Sequence, residues 1–322
     1  MAITIGQVQA ITHDMVVKML ADNVYQSAAG LRRLYTKRKK LDGGNDIGSP
    51  VISGAVDNTT GGWYQGASVL SDSEKDDITR VKVDWKQLYE TVLISKLDLL
   101  KNNGTSQILS LLSSKMDIAE MRFKSRLSTG IFHDGTNSLI FNGLDQIIGT
   151  GTYAGLASSD IVDESGNSAW LGRIKDNSGT NRQLSGSLIQ TAMGLASEDE
   201  NRPSVAFMKQ NVYDELWTIL EPHQRIMVED SSFSGAGHDQ SKVLQYNGIP
   251  FLIDSHASAN RMYFVNEKFT TFYVHSQEDM AAQSFKQLED VNAVKERMLL
   301  TGNLLCNARR FNALLKDIQV AA

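Results

Sequence analysis

A single cysteine in 322 residues, Cys306, leaves the chain without an internal disulfide or a cysteine-built zinc site, which suits a reducing compartment. Long apolar runs are missing too. Nothing approaches the ~20 consecutive residues that a membrane-spanning helix needs, and the N-terminal MAITIGQVQAITHD has no basic flank leading into an apolar core, so neither a span nor a secretory signal is expected. The charge balance is also slight. A net charge of −5 argues against a dedicated DNA-binding protein, because neutralising phosphates takes clustered Lys and Arg. With 41% hydrophobic and 21% charged residues, the chain still has the composition of a globular protein with a real core, enough for one large domain or two to three small ones.

Catalytic signatures are equally scarce. The six histidines are scattered, with no HExxH and no spacing suited to a metal, and the adjacent pairs His133-Asp134 and His238-Asp239 sit in loop-like sequence. There is no GxSxG elbow and no GxxxxGK[ST] phosphate loop. Gly149, Gly151 and Gly155 are spaced GxGxxxG rather than GxGxxG, and AGLASSDI makes a poor amphipathic helix after them, so they read as turn chemistry. The stretch from Asp163 to Asn167 loosely echoes a calcium loop, but Ile174 stands where its closing glutamate belongs. Neither a catalytic residue nor a metal or cofactor site is expected.

What the chain does have is one dominant element, residues 105–132. The apolar positions Ile108, Leu112, Met116, Ala119, Phe123, Leu127 and Ile131 recur every three or four residues, which predicts one long amphipathic helix. At ~1.5 Å per residue it would be about 40 Å long. Lys115, Asp117, Glu120, Arg122, Lys124 and Arg126 make up its charged side, with Glu120 and Lys124 at i,i+4.

Ahead of it, residues 12–28 predict a short amphipathic helix stopped near Gly30. The run LRRLYTKRKK then gathers Arg32, Arg33, Lys37, Arg38, Lys39 and Lys40, followed by a turn-forming GGNDIGSP. That basic segment reads as a solvated arm or as one that docks on an acidic surface of another copy, for which Asp72, Glu74, Asp76 and Asp77 are available. Between residues 50 and 100, Trp63, Tyr64, Val69 and Leu70 suggest one strand and SDSEKDD a polar tip. The alternation of Val81, Val83 and Trp85 with Arg80, Lys82, Asp84 and Lys86 suggests a returning strand. Joined antiparallel, the two would form a long hairpin, marginal in isolation and suited to lying on a neighbouring subunit.

After the long helix comes a strand-poor segment rich in Gly, Ser, Asn and Asp, and from Ser187 an α/β module. Its helices are LIQTAMGLA and one following Asn211 up to Pro222, and its short strands are SVAFM, RIMVE, IPFLID, RMYFV and FTTFYV, with the polar loop EDSSFSGAGHDQ among them. Near the end, ERMLLTGNLLCNARRFNALL predicts a long strand with Met298, Leu300, Leu304, Cys306 and Ala308 on one side and Gly302 as a bend or bulge. That pattern makes Cys306 an inert buried thiol.

The order of these parts resembles the major capsid proteins of tailed bacteriophages, the HK97-like fold, over nearly the whole chain. GGWYQGASVLSDSEKDDITRVKVDWKQLYETVLIS matches the extended loop, Gly104 to Gly135 the spine helix and QYNGIPFLIDSHASANRMYFVN the axial domain. The resemblance implies an α+β fold divided into an N-terminal arm (1–49), an extended hairpin or E-loop (50–100), the spine helix with a first part of the peripheral domain (101–185), an axial domain (186–275) and a second part of the peripheral domain (276–322).

It also implies a non-enzymatic shell protein that assembles into pentamers and hexamers in the host cytoplasm and ends in the virion capsid. The E-loop contacts between subunits would fall to Trp63, Tyr64, Val81, Val83 and Trp85, the arm contacts to Arg32, Arg33, Lys37, Arg38, Lys39 and Lys40, and the axial contacts to Glu229, Asp230, Phe233, His238 and Asp239. Because Met1 begins almost directly at the arm, a separate scaffolding protein is expected. The other implied partners are a portal protein, an optional decoration protein and packaged double-stranded DNA held without sequence preference, with no covalent crosslink and no membrane contact. An encapsulin-type nanocompartment is the alternative on the same fold, and a soluble nucleotide-binding enzyme the distant one.

Overall fold

The computed structural model describes residues 28–53, 63–67, 69, 78–97, 105–163, 166–198, 200–220, 227–228, 243–287 and 293–320. The helix expected over 12–28, the acidic run at 71–77 and the axial loop with Glu229, Asp230, Phe233, His238 and Asp239 lie outside the described residues.

The basic segment opens as a helix, α1 (Ala29–Thr36), which buries Gly30, Leu31, Leu34 and Tyr35. Three short strands follow: β1 (Lys39–Leu41), β2 (Ile47–Ile52) and β3 (Ile78–Val83). The expected partner strand for β3 was residues 63–70. Instead β3 pairs antiparallel with β2, from Ile47 opposite Val83 to Ile52 opposite Ile78. IGSP, the end of the stretch expected to form a turn, therefore belongs with Val51 and Ile52 to a strand; Pro50 is compatible because β2 is an edge strand, where no ladder amide is required of it. The long returning strand also divides at Asp84 and Trp85, and its second part, β4 (Lys86–Ser95), enters a different sheet.

The long helix is present as α2 (Thr105–Ile131). Met116, Ala119, Phe123, Leu127 and Ile131 are all buried, so the apolar stripe is the packing face. The charged side is less uniform than its composition suggests, because Glu120 is itself buried. A short turn of helix, α3 (Leu144–Ile147), lies in the strand-poor stretch that follows.

The remaining elements are β5 (Arg173–Lys175), α4 (Gly186–Leu195), β6 (Val205–Met208), α5 (Gln210–Leu220), β7 (Met227–Val228), β8 (Val243–Tyr246), β9 (Ile249–Ile253), β10 (Met262–Val265), β11 (Thr270–His275), β12 (Ala281–Gln287), β13 (Ala293–Cys306) and β14 (Ala313–Leu315). They form two sheets. In the first, β1, β11, β13 and β12 are neighbours in that order and β4 runs antiparallel to β13 from Lys86 opposite Gly302 to Ser95 opposite Ala293. The second has the order β5-β14-β10-β6-β9-β8-β7.

These pairings cross the boundaries expected at 275/276. β11 belongs to the first sheet and β14 to the second, since hydrogen bonding joins β11 to β13 and β14 to both β10 and β5. Nor does Gly302 mark a bulge. A Cβ there would stand 2.4 Å from the Tyr273 carbonyl oxygen, so glycine lets β11 and β13 approach, while the register slip lies in β12 between Gln283 and Lys286. Ala308, expected on this strand, lies beyond its end at Cys306.

Two cores result. The larger gathers the stripe of α2, the underside of the first sheet and one face of β6 and β10, through Val205, Phe207, Tyr263 and Val265. The smaller packs α4 and α5 on the other face of the same strands, against Ala206, Met208, Met262 and Phe264. This explains why β6 and β10 are buried at every position: a strand covered on both faces reads as a continuous apolar run. Phe132, just past α2, joins the parts by packing on Phe207 and Tyr263 at ring-centroid distances of 6.3 and 5.3 Å.

Candidate assembly surfaces

The basic segment is held by its own chain. Glu267 lies between Arg33 (Nε–Oε1 2.8 Å) and Lys37 (Nζ–Oε2 2.9 Å) and accepts a hydrogen bond from the Ser204 hydroxyl at 2.9 Å. Asp279 pairs with Arg38 (2.9 Å) and Lys40 (2.7 Å) and accepts from the Tyr35 hydroxyl. Burial pushes both carboxyls upward, but the bonds from these cations outweigh it and leave Glu267 and Asp279 below the usual carboxylate range. Four of the six cations read as an exposed arm thus form ion pairs within the chain, because α1 buries Leu31, Leu34 and Tyr35 and brings its basic side onto two half-buried acids. A third acid, Asp254, fixes the start of the helix: the Gly30 amide donates to its Oδ2 at 2.9 Å.

The five residues expected at the E-loop contact divide into two groups. Val81 and Val83 are buried in the larger core, and Trp85 turns back to the body, donating from Nε1 to the Gly44 carbonyl at 2.9 Å and meeting His275 edge-on at 5.6 Å. Alternation in β3 reports a face that packs on the chain's own core, not on a neighbour. Trp63 and Tyr64 are fully and largely exposed, at 106% and 67%, with Val69 at 99%. The two faces of the ribbon differ: Ile47, Val81 and Val83 on one face are buried and Val51 packs on the larger core, whereas Ile52 and Ile78, paired on the other face at the far end, are 75% and 65% exposed. The outer face of the ribbon therefore ends in bare apolar side chains.

Between the first sheet and α2 lies a charged layer that the sequence pattern concealed. Glu90 of β4 is buried and pairs with Arg126 at 3.1 Å and more distantly with Arg122 at 4.0 Å, while Glu120 pairs with Lys124 at 2.9 Å as the i,i+4 spacing predicts. Glu296 of β13 is 3% exposed, and its Oε2 has no hydrogen-bond partner. Burial alone pushes its carboxyl up to about 7.

The glycine loop has a structural occupant. Arg309 is fully buried and donates from Nε to the Ile147 carbonyl (2.8 Å), from one terminal nitrogen to Gly151 (2.8 Å) and Trp170 (3.0 Å), and from the other to Gln146 (3.3 Å) and Gly149 (2.5 Å). Five carbonyls meet the five N–H groups of a guanidinium. A phosphate site needs converging amide N–H groups, so a loop that aims oxygens inward is built for a cation. Gly172 permits this closure, since a Cβ there would lie 2.4 Å from the Ile148 backbone. Tyr153 and Trp170 flank the guanidinium at 5.2 and 5.9 Å. Nearby Cys306 is buried and its thiol is pushed up by burial, as expected of an inert thiol. Sequence reading missed Arg309 because a buried arginine and an exposed one look alike in NARRFN.

Among the described residues, no group of three or more His, Cys, Asp or Glu is placed to hold a metal, and no helix is long and apolar enough to cross a membrane.

No family model and no curated protein matches the sequence. Solved structures do resemble it. The capsid asymmetric unit of cyanophage A-1(L) covers 91% of this chain and 93% of its own at a TM-score of 0.65 and 15% identity. The capsid of a native GTA particle covers 91% of each chain at 0.60 and 15% identity. The encapsulin complex of Synechococcus elongatus covers 76% of this chain and 79% of its own, at 0.50 and 9% identity. A long helix laid under one sheet, a second sheet carrying helices on its other face and a two-stranded ribbon make up, over nine-tenths of the chain, the HK97-like capsid fold.

Proposed function

We propose that this chain is the major capsid protein of a tailed-bacteriophage-type head, many copies of which form the pentamers and hexamers of an icosahedral shell around double-stranded DNA. The observation that carries this reading is the β2–β3 ribbon. An isolated two-stranded ribbon is marginal in water, yet this one ends in Ile52, Trp63, Tyr64, Val69 and Ile78 with their apolar surface bare. Such surface becomes buried on assembly, which makes oligomerisation part of the stability of the fold.

In this reading α2 is the spine, the first sheet with β4 and β13 the peripheral domain, the second sheet with α4 and α5 the axial domain, and residues 229–240 the loop that meets its copies on the symmetry axes. The basic segment acts as the root of the N-terminal arm, its charge neutralised by Glu267 and Asp279. A separate scaffolding protein and a portal protein complete the head, a decoration protein is an optional addition, assembly takes place in the host cytoplasm, and the mature location is the virion capsid. A role as a soluble enzyme draws no support from the Gly149–Gly155 loop, which is filled by Arg309.

The test is negative-stain microscopy with sedimentation on the protein expressed alone and with its scaffolding protein. Closed shells or tubes support the reading, and nucleic acid rather than a protein cargo inside them separates a phage head from an encapsulin. A stable monomer or dimer under all conditions refutes it.

A further inference from the structure

Ser125, His256 and Asp254 are brought into line by the fold. Ser125 stands on the exposed side of α2, and its hydroxyl meets His256 Nε2 at 3.2 Å. The other ring nitrogen, Nδ1, lies 3.6 Å from Asp254 Oδ1 and 3.3 Å from the Ser255 hydroxyl. Asp254 is buried and firmly held. Its Oδ2 accepts from the Gly30 amide at 2.9 Å, and its Oδ1 from the His256 amide at 2.9 Å and the Ser128 hydroxyl at 3.4 Å. Ser125 and His256 are 131 residues apart, so no spacing in the sequence announces the arrangement.

A carboxylate that already accepts from two amides offers Nδ1 an oxygen and not a proton. The ring proton is thereby placed on Nδ1, and the Nε2 lone pair turns to the Ser125 hydroxyl. In this order of groups a histidine takes the proton of an attacking serine while an acid orients the ring. At 3.6 Å the Asp254 oxygen is beyond hydrogen-bond length, so it acts by its charge and through the His256 amide. The surroundings of Ser125 also limit what it can attack. Its amide lies inside α2, where the helix takes up the N–H groups, so no free N–H pair awaits an oxyanion. The cations beside it are engaged as well, Arg122 and Arg126 with Glu90 and Lys124 with Glu120. A serine without such a hole reacts where the leaving group departs unprotonated, which selects activated aryl esters over peptides and alkyl esters.

We propose that Ser125 is a nucleophile, with His256 as its base and Asp254 positioning the ring, that takes the acyl group of activated aryl esters. The Ser125 oxygen bonds to the ester carbonyl carbon as its proton passes to His256 Nε2. The bond from that carbon to the aryl oxygen then breaks, the phenolate leaves and His256 passes the proton to solvent. Water next attacks the acyl carbon and gives its proton to Nε2, which returns it to the Ser125 oxygen as the acid is released. This reactivity is additional to the shell reading and does not depend on it.

The full chain, as unassembled subunit, is treated with p-nitrophenyl acetate and separately with diisopropyl fluorophosphate, whose P–F bond is exchanged for a bond to an activated serine oxygen with release of fluoride and a proton. Peptide mapping by mass spectrometry should place both groups on Ser125. Because the aryl ester also acylates lysine amines, the fluorophosphate decides the residue. Ser125→Ala should abolish fluorophosphate labelling, and His256→Ala should slow it by ~100-fold or more, with added imidazole restoring part of the rate. Circular dichroism and thermal unfolding, expected unchanged in both variants, separate a lost base from a lost fold. Nitrogen NMR of the wild-type His256 ring should find its proton on Nδ1, a readout that a merely structural aspartate would not set. A wild-type chain without label on Ser125, a label on Ser255 instead, a ring proton on Nε2, or labelling of His256→Ala as fast as wild type overturns the proposal. The three residues are then a polar clamp between α2 and the turn after β9.

Discussion

Glu296 should make the subunit less stable as the pH rises toward neutrality. It lies on β13, 3% exposed, with an orphaned carboxyl oxygen, and burial raises its carboxyl from 4.5 to about 7. In the unfolded chain the group loses its proton near 4.5, whereas in the folded chain it keeps the proton until about 7. Below 4.5 both states are protonated and there is no penalty. Between the two values the unfolded state alone ionises, so stability falls as pH rises, and above 7 the full penalty applies. At ~1.4 kcal/mol per pH unit the interval from 4.5 to about 7 corresponds to a penalty of about 3–4 kcal/mol. Glu296→Gln mimics the protonated acid and removes that penalty. The variant should match wild type below pH 4.5 and exceed it by about 3–4 kcal/mol at pH 8, read by urea unfolding of the unassembled subunit across this range. An equal offset at both ends, or a loss of stability at pH 8, would refute a buried unpaired acid as the cause.

Arg309 offers the opposite case, a buried charge whose partners are complete. Arg309→Lys should destabilise the subunit by about 3 kcal/mol or more in thermal or urea unfolding, because three ammonium donors cannot satisfy five converging carbonyls. Glu267→Gln should cost about 1–3 kcal/mol at pH 7, discounted because Lys37 is 57% exposed. Since the Glu267 carboxyl is held below its ordinary value, that difference should be full at pH 7 and disappear as the pH falls through the acid range. Trp63→Ser with Tyr64→Ser should leave the unfolding midpoint of the subunit within about 0.5 kcal/mol of wild type, both side chains being exposed, and should reduce the yield of shells seen by sedimentation. Nucleotides at millimolar concentration should not shift thermal unfolding, since Arg309 occupies the glycine loop.

What the amino-acid sequence determined by itself was local and periodic. The stripe from Met116 to Ile131 dictated α2, and the alternation around Val81 and Val83 dictated β3, because helix and strand periods follow from backbone geometry alone. The order of such parts was enough to indicate the fold class. Tertiary structure decided which surface each pattern faces. Nothing in Val81 or Val83 distinguishes a face turned to the chain's own core from one turned to a neighbour, and nothing in IGSPVI announces that β2, not the stretch at 63–70, completes the ribbon, since strand pairing is a long-range choice.

The charged residues required the fold most of all. Arg33, Lys37, Arg38 and Lys40 read as an open arm until Glu267 and Asp279, more than 200 residues away, close on them. Arg309 and Glu296 are ordinary surface residues by composition. Burial gives the first a complete set of partners and leaves the second with an orphaned carboxyl oxygen, because desolvation is a property of the packed environment and not of the residue.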